Sequence, residues 1–150
     1  RAVQNGPEDE EARGNMLIAA NLAITIALGS VHAMSHPAGA QFGVPHGVAN
    51  AINLPHVIEH NAAGGPEIAD RYRDVGEIFD VAEPEIGPAL AAYVTDLVAR
   101  LGLPTRLSQV GVPEDGIPAL VEGAMGDGTT LLNPREMGEE EYEELYRKAL

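Results

Sequence analysis

The chain has 150 residues, a length that fits one domain, and 45% of them are apolar, as in a globular protein. It contains no cysteine, so disulfides, thiolate metal sites and cysteine nucleophiles are excluded. The net charge is −14 with only nine basic residues, which argues against a nucleic-acid partner because phosphate binding requires clustered lysine and arginine.

The first predicted helix follows Pro7 and the acidic run 8–11, an order typical of a helix N-terminus. The stretch from Met16 to Leu28 is apolar on almost every side, so we expect a helix buried among others that ends or bends at Gly29. This stretch is shorter than the about 20 residues of a membrane span, and acidic residues precede it, unlike a signal peptide. We therefore expect no membrane segment and a cytoplasmic protein.

Prolines and glycines divide the middle of the chain into further helices. The second predicted helix carries residues 31–34 and is broken by Pro37 and Gly39. Pro45 opens the third helix, in which Pro55 marks the place where a kink could occur.

The rest of the chain is also predicted to be helical. Pro66 opens a fourth helix, and the fourth and fifth helices each carry one apolar stripe: Ile68, Tyr72, Val75 and Phe79, then Leu90, Val94, Leu97 and Leu101. A short helix over 118–125 and a glycine turn at 126–128 precede the last helix, 138–150, whose apolar face is Tyr142, Leu145, Tyr146 and Ala149. No segment has the pattern of a strand, so the predicted fold is an all-α helical bundle.

All five histidines lie between positions 32 and 60. His32 and His36 are four residues apart, so they project from one face of a helix. His46 follows a loop rich in glycine and proline, which allows the chain to reverse and bring it back toward His32. Neutral imidazole binds iron(II), cobalt and zinc, but two histidines do not complete a site, so further ligands must come from elsewhere. Spacing alone leaves open a pair of hydrogen-bonded structural histidines, and for His56 and His60 the simpler interpretation is a helix surface.

Several motifs, in order along nearly the whole chain, resemble the signature of one enzyme family. They are the run from His32 through Asn61, including Gly47–Ile52 and Leu54–Val57, then Val110–Val112, Ile117–Leu120 and Asn133–Glu136. This pattern is similar to the C-terminal, all-helical, metal-binding domain of the iron-containing alcohol dehydrogenases, within the dehydroquinate synthase-like superfamily.

The resemblance implies a role for three histidines. That family binds its metal through one aspartate and three histidines, and His32 and His46 match two of those histidines. A further family histidine, implicated in catalysis near the nicotinamide and substrate, matches His36. The other Asp–His ligand pair and the glycine-rich nucleotide-binding segment do not appear in these residues. Residues 1–150 are therefore expected to be a single helical metal-binding domain, a fragment that lacks an N-terminal nucleotide-binding domain.

The activity implied by the resemblance is NAD- or NADP-linked interconversion of an alcohol and an aldehyde or ketone. The expected metal is Fe²⁺, with Zn²⁺ as an alternative, because the same nitrogen and oxygen ligands accept both. The nicotinamide cofactor would be held by the missing domain, the intact enzyme would be a homodimer, and the 150-residue chain alone would be inactive. Two alternatives remain: a zinc-type polyol dehydrogenase or reductase, and a stand-alone helical interaction domain with structural histidines. Asn133, Pro134 and Arg135 are interpreted as shaping the turn before the last helix.

Overall fold

The computed structural model describes residues 1–24 and 28–150, and every regular element within these ranges is helical, as predicted. The α-helices are α1 (Glu10–Ile24), α2 (Ser30–Phe42), α3 (His46–Ala62), α4 (Pro66–Ile78), α5 (Ile86–Arg100), α6 (Ile117–Met125) and α7 (Glu139–Ala149). Short 3-10 helices cover Gly6–Glu8, Leu107–Val110, Glu114–Gly116 and Gly128–Leu132. Within the described ranges, no helix is both long and apolar enough to cross a membrane.

The main hydrophobic core lies between α2, α3, α6 and α7. The predicted apolar face of α7 is confirmed, since all four of its members are at most 2% exposed: Tyr142, Leu145, Tyr146 and Ala149. The opposite face of α7 carries ion pairs between residues four apart, Glu143 with Arg147 and Glu144 with Lys148. The helix is therefore amphipathic and closes the bundle with its apolar side.

A second, smaller core joins α3 to α5 through Ile58, Ile86 and Leu90. The apolar stripe predicted for α4 is only partly covered, because Val75 is 41% and Phe79 45% exposed. The α4 helix therefore lies at the edge of the bundle.

The prediction that Pro37 and Gly39 break the second helix is wrong. The α2 helix continues through both residues to Phe42, although proline lacks the N–H that would bond to the carbonyl four residues earlier. Pro37 is buried against α6, where a Cβ added to Gly123 would lie only 2.6 Å from the Cβ of Pro37. Packing along the helix thus outweighs the loss of one hydrogen bond.

The prediction of a buried first helix is also wrong. Leu17 is 73% exposed, Ile18 62% and Ile24 67%, and in the described part of α1 the only buried residue is Ala12. Residues 25–27 of the predicted apolar stretch lie outside the described residues. The reason for the error is that apolarity on every side predicts burial only where another element covers the helix, and α1 makes no extensive contact with the other described helices.

Candidate metal centre

The α2 helix presents His32 and His36 on one face, as the spacing predicts. Their ring centroids are 5.8 Å apart, with the rings edge to face. His32 is half-buried, whereas 43% of the His36 side chain is exposed. The pair therefore lies at the surface of the bundle, open to a ligand or to another domain.

A tight turn brings His46 to this pair. Gly43 ends α2 in the left-handed conformation, with φ of +67°, and the N–H of Val44 donates to the carbonyl of Ala38 at 3.4 Å. Pro45 then leads into α3, whose first residue is His46. The His46 ring lies 5.2 Å from that of His32 and 5.4 Å from that of His36, measured between centroids. The expected chain reversal is confirmed, and three imidazoles come together.

The surroundings favour neutral imidazole at His32. Burial lowers the pKa of His32, and the neighbouring rings of His46 and His36 lower it further. At His46, the amide nitrogen of Asn50 lies 3.0 Å from Nε2, while the buried amide oxygen of Asn50 has no hydrogen-bond partner. Asn50, one turn further along α3, is therefore in direct contact with the His46 ring. Unprotonated ring nitrogen is the form that binds a metal.

His36 has a partner that the sequence analysis missed. Its Nδ1 lies 2.6 Å from Oδ2 of Asp127, a residue 91 positions away that was predicted only as part of a turn. Asp127 precedes the short helix Gly128–Leu132, where its other oxygen accepts from the backbone and hydroxyl of Thr129. The sequence Asp-Gly-Thr is a capping signal, but nothing in it indicates which distant side chain the second carboxylate oxygen would meet.

The remaining histidines lie away from this cluster. His56 and His60 are further along α3, about 15 Å or more from His46 at 1.5 Å per residue. Burial is the main cause that lowers the pKa of each. His60 accepts a bond from Arg135 at its carbonyl oxygen, 2.6 Å away, a contact between α3 and the turn before α7.

Asn133 connects the same turn to α2 and α3. It exchanges two hydrogen bonds with Asn61, of 2.7 and 3.1 Å, and its amide oxygen accepts from the N–H of Ser30 at 3.3 Å. These contacts support the structural interpretation of residues 133–135.

The described residues do not contain a complete ligand set. No group of three or more histidines and acidic residues within residues 1–24 and 28–150 is arranged to hold a metal ion. The donor chemistry of His32 and His46 nevertheless fits a borderline divalent metal, which favours imidazole nitrogen. The cluster can therefore supply two ligands of a metal site, and His36 lies beside them.

Comparison with known proteins gives a consistent result. The sequence model described as "Fe-containing alcohol dehydrogenase family, C-terminal" matches residues 1–150. The chain is 41% identical over 129 residues to lactaldehyde reductase of Escherichia coli K12, covering 83% of this chain and 33% of that protein. It is 34% identical over 149 residues to an NADPH-dependent butanol dehydrogenase of Clostridium saccharobutylicum, covering 92% and 38%.

A solved structure agrees with these sequence relatives. The crystal structure of a 1,3-propanediol oxidoreductase superposes with a TM-score of 0.71 at 35% identity, covering 81% of this chain and 32% of the other. The chain therefore spans about a third of the length of the relatives that it matches.

Proposed function

The chain belongs to the iron-containing alcohol dehydrogenase family as its C-terminal domain, and from this premise we propose that it supplies part of the active site of a longer, metal-dependent enzyme. The proposed reaction is the NAD(P)-linked interconversion of an alcohol and an aldehyde or ketone. Relatives named as a lactaldehyde reductase and a butanol dehydrogenase support a small alcohol or carbonyl compound as the substrate.

One observation carries this proposal: the rings of His32, His36 and His46 lie within 5.8 Å of one another at the end of α2 and the start of α3. We assign His32 and His46 as two ligands of an Fe²⁺ ion, for which Zn²⁺ is the alternative. No complete set lies among the described residues, and the resemblance to the family implies that the other ligands, an aspartate and a histidine, come from the preceding domain. When bound, such a metal acts as a Lewis acid toward the oxygen of the substrate.

His36 has a different proposed role. Its Nδ1 is engaged by Asp127, so Nε2 is the atom available to hold or move a proton, or to orient the substrate oxygen. Histidine suits this task because its unperturbed pKa lies close to neutral pH. A nicotinamide cofactor, NAD or NADP, would be bound by a preceding N-terminal domain, and we expect a homodimer in the cytoplasm.

Metal analysis of the full-length protein tests these assignments. We expect about one metal per chain in the wild type, and loss of tight metal binding in His46→Ala because one ligand is removed. The matched control is His36→Ala, which removes a neighbouring imidazole but should keep the metal and lose turnover. Stoichiometric metal in His46→Ala would refute the ligand assignment. A wild type without metal and without nicotinamide-dependent turnover would favour a helical interaction domain instead.

A further inference from the structure

The contact between His36 and Asp127 is short and joins one ring nitrogen to one carboxylate oxygen. The two atoms, Nδ1 and Oδ2, are 2.6 Å apart, just below the usual length of a charge-assisted N–H···O hydrogen bond. The aspartate side chain is 16% exposed, much less than the 43% of the histidine that it contacts. The mostly buried carboxylate of Asp127 therefore contacts one nitrogen of the partly exposed His36 ring.

The orientation of this carboxylate is fixed by its other oxygen. Oδ1 of Asp127 accepts from the backbone N–H of Thr129 at 2.9 Å and from the Thr129 hydroxyl at 2.7 Å. The next residue, Thr130, is bonded through its hydroxyl to Tyr142 of α7, which anchors the short helix to the core. Because Oδ1 is occupied, Oδ2 is the oxygen that is directed at His36.

The ionisation of Asp127 decides which group donates. Burial alone would raise the pKa of this carboxyl, but the hydrogen bonds from Thr129 and His36 outweigh it and hold the pKa below its usual value. An ionised carboxylate can only accept hydrogen bonds, so the proton in this contact sits on Nδ1 of His36. In the neutral ring, Nε2 is then left without a proton.

We propose that Asp127 is a positioning residue that fixes the tautomer and the ring orientation of His36, so that its unprotonated Nε2 faces the reaction site. The tautomer follows from the contacts described above; only its consequence for turnover rests on the proposed function. A purely structural role would predict that any side chain able to cap the Gly128–Leu132 helix serves equally well.

Asp127→Asn separates these two roles. Asparagine caps a helix as well as aspartate does, so its oxygen can keep both bonds from Thr129. Its NH₂ group then replaces the oxygen that faced His36, and an NH₂ group can only donate. We therefore expect the imidazole to exchange tautomers, with the proton moving to Nε2. In serine proteases, asparagine in place of the aspartate beside the catalytic histidine produces the wrong tautomer and lowers kcat by about 10⁴-fold.

The experiment uses the full-length protein with ¹⁵N-labelled histidine, metal-free and zinc-loaded, because imidazole ¹⁵N shifts distinguish the two tautomers. We expect a protonated Nδ1 for His36 in the wild type and a protonated Nε2 in Asp127→Asn. For turnover we expect a loss in kcat of at least about 100-fold, the lower range for general acid–base catalysis, with metal content and KM little changed. The matched control is Glu122→Gln, which removes one exposed carboxylate from α6 and should leave tautomer and turnover unaltered.

The experiment tests the role of Asp127 toward His36 separately from the proposed dehydrogenase activity. A protonated Nε2 in the wild type overturns the inference, and this measurement needs no variant. The same tautomer in the wild type and Asp127→Asn, an unchanged kcat, or a loss of metal from Asp127→Asn would also overturn it. If the wild type shows the expected tautomer but no dehydrogenase activity with any alcohol, the proposed function fails while the positioning of His36 stands.

Discussion

The hydroxyl of Tyr142 connects three parts of the bundle, so its removal should be more destabilising than that of another buried tyrosine hydroxyl. It donates to the hydroxyl of Ser30 at 3.2 Å and is bonded to the hydroxyl of Thr130. Tyr142 and Ser30 are both fully buried. Tyr142→Phe keeps the ring and removes only the oxygen, which leaves the Ser30 hydroxyl without this partner in a dry environment.

The expected magnitude follows from counting the affected groups. Two hydrogen bonds at about 1 kcal/mol each give a loss of about 2 kcal/mol. Tyr146 provides the matched control: it is equally buried, but its hydroxyl makes one bond, to the carbonyl of Met34 at 2.8 Å. That carbonyl lies within α2 and keeps its helical partner, so Tyr146→Phe should cost only about 1 kcal/mol.

Urea unfolding followed by circular dichroism measures both values. A loss of about 2 kcal/mol should lower the urea midpoint by roughly 1 M at an unchanged slope. The double variant Ser30→Ala/Tyr142→Phe should be less destabilised than the sum of its single variants, because both partners of one bond are then apolar. If Tyr142→Phe costs no more than Tyr146→Phe, the reasoning from the number of partners is refuted.

Two further predictions concern stability. Burial lowers the pKa of His56 and His60, so the unfolded chain, with histidine pKa values of about 6.5, binds more protons than the folded chain. Stability should therefore be complete above about pH 6.5 and fall as the pH drops toward the folded pKa values, which urea midpoints at successive pH values would measure; a midpoint that rises on acidification contradicts this. Gly123→Ala should destabilise by about 1 kcal/mol or more through contact with Pro37, whereas Gly14→Ala, where a Cβ meets nothing within 4 Å, should stabilise by about 0.5–1 kcal/mol in thermal unfolding. Equal effects of the two glycine substitutions would show that crowding at Gly123 does not matter.

Local signals predicted much of this fold. The apolar face of α7 was predicted because its residues repeat at helical spacing, and each of them is buried. The approach of His46 to His32 was predicted from the loop rich in glycine and proline before His46, although that loop is shorter than predicted because α2 continues to Phe42. Such features depend on the backbone preferences of residues that are neighbours in the sequence, so the sequence alone predicts them.

Features that depend on distant contacts were not predictable in the same way. The continuity of α2 through Pro37 depends on its packing against Gly123, and the contact of His36 with Asp127 spans 91 residues. The exposure of Leu17 and its neighbours depends on which other elements pack against α1. The amino-acid composition of α1 carries no information about those elements. Local patterns therefore predicted the helices and the histidine cluster, but not the carboxylate beside it.

The close contact between Pro37 and Gly123 has a mechanical consequence. Here α2 and α6 meet through the ring of Pro37 and the bare backbone of Gly123, and beside them the amide of Gln41 donates to the carbonyl of Ala119 at 3.0 Å. His36 precedes this contact on α2, and Asp127 follows the end of α6. His36 and Asp127 therefore both lie close to the tight contact between α2 and α6. Thermal motion that bends the outer helices α1 and α4 should leave the distance between them almost constant.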